Sequence, residues 1–243
     1  AAAEALAQAD AAFAAHPHDI ACFVAEPIQA EGGDRHLSAA FLRAMQERCR
    51  RHDALFVLDE VQTGVGGAGG RWAYEVLGLE PDVVAFAKKA QVGGIMAGRR
   101  VDLVPDNVFA VSGRINSTWG GGLVDMVRSR RILEVIERDG LFAAAAERGA
   151  QLAAGLRALQ DERPALVANA RGRGLMCAID LPGREVRDAV LADLRTTEGI
   201  LALACGPASI RFRPALTISA GQVDQVLAGL ARSVARVGAA ALV

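Results

Sequence analysis

The chain has 243 residues, 52% of them hydrophobic and 23% charged, so it can bury a substantial core and lacks the composition of a disordered protein. Its formal net charge of −1 argues against binding to nucleic acid or to an anionic membrane surface. Four widely separated cysteines and the lack of an apolar run of roughly 20 residues favour free thiols over a disulfide framework or a membrane span. We therefore expect a cytoplasmic protein with no nucleic-acid or membrane partner.

Three short apolar runs in the first half of the chain predict buried strands. They span residues 20–25, 54–58 and 82–87, and more polar or amphipathic segments separate them. Ser38 is placed to cap a helix between the first two strands. Short, continuously apolar strands separated by helices are typical of a mainly parallel sheet covered by helices, so we predict an α/β fold.

A charged residue follows or ends each of these strands. Glu26, Asp59 and Lys88 stand there, and ligands of parallel sheets bind beyond the carboxyl ends of the strands. Lys88 and Lys89 are the only lysines in the sequence; every other basic side chain is arginine. A lysine amine can lose its proton, and desolvation at the mouth of an apolar strand lowers its pKa toward nucleophilic use. These residues indicate either Schiff-base chemistry or two solvated surface lysines.

The pattern changes after residue 122. Long amphipathic stretches predict helices between residues 123 and 159, and strands are predicted at residues 174–181 and 200–204. Ser219 and Gln222 have the spacing of a capping box that opens the last helix. This part of the chain is therefore expected to form a smaller α/β domain.

Three other motifs allow competing interpretations. Gly64–Gly69 matches the dinucleotide-binding pattern, but no clear apolar helix follows, which favours a tight loop. His16-Pro17-His18 is better explained as an exposed turn than as a metal site. Asp59 and Glu60 could bind a metal, but His52 lies at the opposite end of the strand. A carboxylate that faces a heteroaromatic nitrogen fits better with a Schiff-base lysine, and pyridoxal phosphate enzymes need both groups.

Four ordered segments carry a family resemblance. They are Glu26-Pro27-Ile28-Gln29, Asp59-Glu60-Val61-Gln62-Thr63-Gly64, Lys88, and Ser117-Thr118-Trp119-Gly120-Gly121. In this order they resemble the class III (ω-amino) aminotransferases, which are pyridoxal 5'-phosphate enzymes of fold type I. Glu31-Gly32-Gly33-Asp34 and the double lysine are most similar to the branch that holds L-lysine 6-aminotransferase and 4-aminobutyrate aminotransferase.

The resemblance implies roles at the cofactor. Lys88 corresponds to the lysine that forms the Schiff base and moves the substrate proton. Because neighbours on a strand face opposite ways, Lys89 is not expected to reach the ring. Asp59 corresponds to the partner of the pyridine nitrogen. Val61 would pack on the ring face, and Gln62 would bond the ring hydroxyl.

The resemblance also implies substrate and subunit contacts. Arg211 corresponds to the arginine that receives the α-carboxylate of 2-oxoglutarate, and Glu31 to the acid that neutralises it when the amino donor is bound. Asn116 and Gln62 are expected to line the same substrate site. Thr118 corresponds to a residue that reaches the phosphate of the neighbouring subunit, which implies a homodimer.

The family's N-terminal portion has no counterpart in this sequence, so we expect the chain to be the C-terminal part of such an enzyme. Its implied activity is transfer of the terminal amino group of L-lysine to 2-oxoglutarate. Alternatives are a 4-aminobutyrate or ornithine-type aminotransferase, or an inactive truncated fragment that retains the fold. The predicted divisions are part of the cofactor-binding large domain at 1–122, a connecting helix at 123–140 and a small domain at 141–243.

Overall fold

The computed structural model describes residues 1–116, 118 and 120–241. The chain divides into two units. Unit 1 comprises residues 1–27, 37–64 and 73–138, and unit 2 comprises residues 28–36, 65–72 and 139–243. The sequence predicted domains that follow one another along the chain. In the structure, two short segments of the first half, residues 28–36 and 65–72, belong with unit 2.

Strands and helices both occur along the whole described part of the chain. The strands are β1 Cys22–Ala25, β2 Ile28–Gln29, β3 Arg35–His36, β4 Leu55–Asp59, β5 Val83–Phe86, β6 Gly94–Ala97, β7 Ala168–Arg173, β8 Met176–Asp180, β9 Leu203–Cys205 and β10 Ser209–Phe212. The helices are α1 Ala2–Ala15, α2 Ala39–Arg51, α3 Ala73–Leu77, α4 Leu123–Arg138, α5 Leu141–Glu162, α6 Arg184–Thr196 and α7 Ala220–Ala241. Short 3-10 helices cover Lys88–Ala90 and Arg99–Leu103.

Unit 1 is built on a four-stranded sheet with the order β1-β4-β5-β6. The first three strands are parallel, as predicted, and their register pairs Ala25 with Leu58 and Asp59 with Ala85. The fourth strand, β6, is antiparallel to β5. This strand runs from Gly94 to Ala97 and was not among the strands predicted from the sequence.

Helix α2 covers part of this sheet. Ser38 caps it by accepting a hydrogen bond from the backbone N–H of Phe41 at 3.1 Å, which confirms the predicted cap. Leu42, Met45 and Cys49 face inward from the helix and share a core with Phe56 and other strand residues. The periodic apolar positions of the sequence therefore fixed the face that packs on the sheet.

Unit 2 holds a four-stranded antiparallel sheet with the order β7-β8-β10-β9. The strands predicted at residues 174–181 and 200–204 correspond to β8 and β9, whereas β7 and β10 were not predicted because arginines and a glycine interrupt their apolar pattern. At the start of α7, Ser219 and Gln222 exchange backbone-to-side-chain hydrogen bonds of 2.9 and 3.2 Å, which confirms the capping box. Within the described residues, no helix is both long enough and apolar enough to span a membrane.

Candidate active site

The carboxyl ends of β4 and β5 bring predicted cofactor residues of unit 1 to one edge of the sheet. Asp59 is the last residue of β4, and its register partner on the parallel strand β5 is Ala85. Lys88 follows the last residue of β5 by two positions. The backbone N–H of Glu60 also donates to the carbonyl of Ala85 at 2.9 Å. The edge at which parallel sheets bind ligands thus carries both a carboxylate and an amine.

Asp59 is half-buried and held by its own turn. Its Oδ1 accepts a 2.9 Å hydrogen bond from the backbone N–H of Val61. This bond restrains the carboxylate through Oδ1 and does not involve Oδ2. A carboxylate fixed in this way is suited to pair with a protonated ring nitrogen, since little side-chain freedom is lost on pairing.

Glu60 has a structural role that was not predicted from the sequence. Its buried carboxylate accepts hydrogen bonds from the backbone N–H groups of Ala73 and Tyr74, both at 2.7 Å, and from the Thr63 hydroxyl at 2.9 Å. Burial raises the pKa of this carboxyl, and these donors oppose the rise. Glu60 therefore holds the turn after β4 against the start of α3. The described residues contain no cluster of metal-ligand type around it.

Lys88 occupies a conformation that non-glycine residues rarely adopt. Its φ is +50°, in the left-handed region, and it opens the 3-10 helix that ends at Ala90. The two lysines therefore lie on a helical turn and not on a strand, so strand alternation does not set their directions, contrary to the prediction. Its side chain is exposed, so the burial expected of it is also absent. Such strained backbone positions concentrate at functional sites.

Gln62 offers an unused acceptor beside Lys88's turn. Its Oε1 is buried without a hydrogen-bond partner, and its main-chain carbonyl accepts a 2.7 Å bond from Nζ of Lys89. Val61, one residue earlier, is half-buried. Buried amide groups are normally satisfied, so the free Oε1 is an observation that a ligand would explain.

The remaining predicted residues of unit 1 lie on an exposed segment. Asn116 and Thr118 are both exposed. Ser117 and Trp119, which belong to the same sequence motif, lie outside the described residues. The assignments of Asn116 to the substrate and of Thr118 to a neighbouring subunit's phosphate remain predictions.

The glycine-rich segment Gly64–Gly69 forms a tight loop. Gly66 and Gly69 have φ values of +90° and +87°. A Cβ on Gly69 would lie 3.0 Å from the Cα of Gly174, and one on Gly66 would lie 2.8 Å from a side-chain carbon of Leu216. Glycine is required here by conformation and close packing, which explains the sequence pattern without a nucleotide.

In unit 2, the two residues predicted to select the substrate are in direct contact. Nη2 of Arg211 donates to Oε1 of Glu31 at 2.6 Å, and Nη2 of Arg213 lies 3.9 Å from the same oxygen. Arg211 sits on the third strand of the sheet, between β8 and β9. Residues 180 positions apart in the sequence therefore form one ion pair, as the resemblance implied.

Asp34 is a buried acid in the same hairpin as Glu31, and the sequence analysis gave it no role. Its side chain is fully buried, and neither carboxylate oxygen has a hydrogen-bond partner. Burial raises the pKa of Asp34 to about 6, although Arg213, Arg211 and Arg171 pull it down. Arg171 also holds this hairpin by donating to the carbonyls of Gly33 and Asp34 at 2.6 and 2.8 Å.

Residues 1–234 match the family model described as Aminotransferase class-III. The chain belongs to the class III aminotransferases. The predicted α/β architecture of fold type I is confirmed by the likeness to a solved lysine aminotransferase from M. tuberculosis in the internal aldimine form. That likeness has a TM-score of 0.94 and 55% identity, and covers 97% of this chain and 54% of the other.

Curated relatives of this aminotransferase differ in the amino donor that their names state. The L-lysine-epsilon aminotransferase of Amycolatopsis lactamdurans is 58% identical over 234 residues, which cover 96% of this chain and 52% of the relative. The mitochondrial 4-aminobutyrate aminotransferase of Sus scrofa is 37% identical over 199 residues, covering 81% and 38%. The chain spans about half the length of the L-lysine-epsilon aminotransferases that it matches.

Family membership confirms pyridoxal phosphate as the predicted cofactor. The residues of unit 1 fit that group. Asp59 offers a restrained carboxylate for the ring nitrogen, Gln62 offers a buried, unpaired Oε1, and Lys88 offers an exposed amine on a strained turn. These three side chains have the donor and acceptor types that a pyridine nitrogen, a ring hydroxyl and an aldehyde require.

Proposed function

We propose that the protein transfers the terminal amino group of L-lysine to 2-oxoglutarate, giving glutamate and 2-aminoadipate 6-semialdehyde. The observation that carries this proposal is the Glu31–Arg211 ion pair, because it is of use to an enzyme that must bind two unlike substrates in turn. The 58% identity to an L-lysine-epsilon aminotransferase, against 37% to a 4-aminobutyrate aminotransferase, supports the choice of lysine over 4-aminobutyrate.

The ion pair addresses a conflict between the two substrates. An acceptor such as 2-oxoglutarate brings an α-carboxylate close to the reacting carbon, whereas the distal amine of lysine brings only methylenes. An exposed positive charge there would favour the acceptor and misplace the donor. Glu31 neutralises Arg211 for the donor and, by moving aside, leaves the guanidinium to the acceptor carboxylate.

The burial of the two side chains supports this exchange. The Arg211 side chain is 8% exposed and that of Glu31 is 72% exposed. The buried member is fixed within a sheet, while the exposed member stands on the hairpin connection between β2 and β3. When the pair opens, the exposed Glu31 carboxylate can move into water, and the buried Arg211 guanidinium then needs the acceptor carboxylate to replace it.

Pyridoxal phosphate, when bound, supplies an electron sink for the carbon that loses its proton. The chain's own residues prepare that chemistry. Asp59 would hold the proton on the ring nitrogen, Gln62 would bond the ring hydroxyl, and Lys88 Nζ would carry the proton to and from the reacting carbon. Val61 would cover one face of the ring.

We also infer that the protein works as a homodimer in which Thr118 reaches the phosphate in the neighbouring subunit. The exposed segment around Thr118 supports this inference, since Phe109 and Ile115 are 54% and 53% exposed. Light scattering on the full-length protein tests the dimer. Replacement of Thr118 by alanine should weaken cofactor binding only if the dimer forms.

The activity is tested by assaying the full-length protein with L-lysine, L-ornithine and 4-aminobutyrate as donors and 2-oxoglutarate as acceptor. We expect the highest kcat/KM with lysine. When the ε-nitrogen of lysine carries an isotopic label, the labelled nitrogen should be recovered in glutamate. Borohydride reduction followed by peptide mapping should place the cofactor on Lys88. A label from the α-nitrogen, or a preference for 4-aminobutyrate, would contradict the proposal.

A further inference from the structure

The second lysine of the pair makes a specific contact beside the predicted cofactor residues. Lys89 is half-buried, and its Nζ donates to the main-chain carbonyl of Gln62 at 2.7 Å. The two residues are 27 positions apart and follow different strands, β4 and β5. Lys89 therefore connects the two turns that hold the predicted cofactor contacts of unit 1.

The turn that carries Lys88 needs such a connection because it is strained. Lys88 and Gln91 have φ values of +50° and +57°. Local bonds close the turn, with the backbone N–H and the Nε2 of Gln91 donating to the Lys88 carbonyl at 2.8 and 3.0 Å. These bonds shape the turn but do not tie it to the rest of the sheet edge. Strained conformations persist only where the surrounding structure also restrains them.

The turn that carries Gln62 is already fixed from its other side. Glu60 accepts hydrogen bonds from Thr63, Ala73 and Tyr74, and the backbone N–H of Gly64 donates to the Glu60 carbonyl at 2.9 Å. Lys89 adds a restraint at the Gln62 carbonyl and leaves the buried Oε1 of Gln62 without a partner. The side chain of Gln62 thus stays available while its backbone is held.

We propose that Lys89 is a positioning residue that sets the separation between the Lys88 amine and the Gln62 side chain. The proposal rests on the proposed function, since it takes both residues as cofactor contacts. The compact ammonium of lysine can direct one N–H donor at a single carbonyl. The planar guanidinium of arginine presents several N–H donors in a fixed arrangement. This requirement explains a second lysine in a sequence whose other basic residues are arginine.

The test compares Lys89→Met with Lys89→Arg in the full-length protein. Arg128→Met is the matched control, because Arg128 also donates to this turn, at 3.4 Å from the Gln91 carbonyl, and its loss removes the same charge. Amide hydrogen exchange of residues 60–64 and 88–91 is measured without cofactor. Equilibrium binding of pyridoxal phosphate and the site of borohydride labelling are measured with it.

For Lys89→Met we expect faster exchange confined to these two segments and about tenfold weaker cofactor binding, the size expected for one charge-assisted hydrogen bond. The label should remain on Lys88, Lys89→Arg should fall between Lys89→Met and wild type, and Arg128→Met should behave like wild type. Exchange and binding equal to wild type in Lys89→Met would overturn the proposal, as would equal effects of Arg128→Met.

Two further outcomes separate this proposal from the proposed function. If wild-type protein takes no borohydride label on Lys88, the cofactor assignment fails, while the exchange data still decide whether Lys89 restrains both turns. If Lys89→Met does not fold, Lys89→Gln takes its place, with the same expected acceleration of exchange. Unchanged exchange in Lys89→Gln then overturns the restraint.

Discussion

Glu31 and Arg211 form an ion pair whose two members differ sharply in exposure. The carboxylate oxygen lies 2.6 Å from Nη2 of the arginine, yet Glu31 is 72% exposed and Arg211 only 8%. Nε and Nη1 of Arg211 are buried and have no hydrogen-bond partner. An arginine held in a sheet with unused donors is prepared to receive a planar carboxylate once Glu31 moves.

Arg211→Ala should impair the half-reaction with 2-oxoglutarate far more than the half-reaction with lysine. The expected loss is about 2–5 kcal/mol in the acceptor half, the range for removing one partner of a buried charge pair. Stopped-flow measurement of each half-reaction separately tests this difference. Arg213→Ala is the control, since its guanidinium lies 3.9 Å from the Glu31 carboxylate and should affect both halves weakly. Equal losses in both halves for Arg211→Ala would mean that the pair is structural.

Glu31→Ala should have the opposite consequence for donor choice. Without the neutralising carboxylate, the guanidinium stays open to α-carboxylates, so glutamate should improve as an amino donor relative to lysine. Glu31→Gln keeps the size but removes the charge and should behave similarly. The ratio of kcat/KM for the two donors is the measurement, and an unchanged ratio in both variants would remove Glu31 from the selection of substrates.

Asp59→Asn should retain the fold but slow proton abstraction by about 10- to 100-fold, corresponding to about 1.5–3 kcal/mol for a hydrogen bond to a charged group. The physical reason is that an amide cannot hold the ring nitrogen protonated. Single-turnover rates provide the measurement. Asp53→Asn is a suitable control because that side chain is 90% exposed, pairs with Arg100 and precedes β4, whereas Asp59 ends that strand. Near-normal rates for Asp59→Asn would remove the electron-sink argument.

Glu60→Ala should destabilise unit 1 by about 2–5 kcal/mol, because three donors lose their acceptor in a buried setting. The expected local effect is fraying at the start of α3. Glu75→Ala, an exposed change in the same helix, should be nearly neutral. Denaturant unfolding of both variants measures the difference, and equal midpoints would show that Glu60 does not hold this turn.

Asp34 should lower stability as pH rises. Its folded pKa of about 6 exceeds the ordinary 3.8, so the folded protein binds the proton more tightly than the unfolded chain. The contribution of Asp34 to the free energy of unfolding is fully present below about pH 4 and is lost as the pH rises through about 6. Asp34→Asn, which tolerates the φ of +46°, should abolish this slope and stabilise the protein at pH 7 by about 1–3 kcal/mol. Unfolding free energies measured from pH 4 to 8 test the slope.

His36 should act in the opposite sense. Burial, aided by Arg173 and Arg171, lowers the pKa of this half-buried imidazole from 6.5 to about 4. The unfolded chain therefore binds the proton more tightly, and stability rises between about pH 4 and 6.5. His36→Gln should remove that rise. In the wild-type protein the pH dependence of stability from Asp34 opposes that from His36. The contribution of His36 is therefore clearest in Asp34→Asn, and that of Asp34 in His36→Gln. A pH profile unchanged by His36→Gln would contradict the assignment.

Local sequence patterns were sufficient to predict the parallel strands of unit 1 and a helix start in each unit. The apolar runs at β1, β4 and β5 identified parallel strands, because strands buried on both faces cannot tolerate polar positions. Ser38 and the Ser219–Gln222 pair marked helix starts, because a cap depends on residues within one turn. The positions of Asp59 and Lys88 at strand ends follow from the apolar runs that precede them.

Tertiary structure alone decided the features that depend on long-range partners. The left-handed backbone of Lys88 and the Lys89–Gln62 bond were not visible in a pattern that predicted an ordinary strand end. The strands β7 and β10 form because each pairs with β8, and pairing compensates for a sequence with little alternation. Arg171, Arg211 and Arg213, which oppose the burial-induced rise in the pKa of Asp34, lie more than a hundred positions from it in the sequence, and no local pattern encodes their proximity.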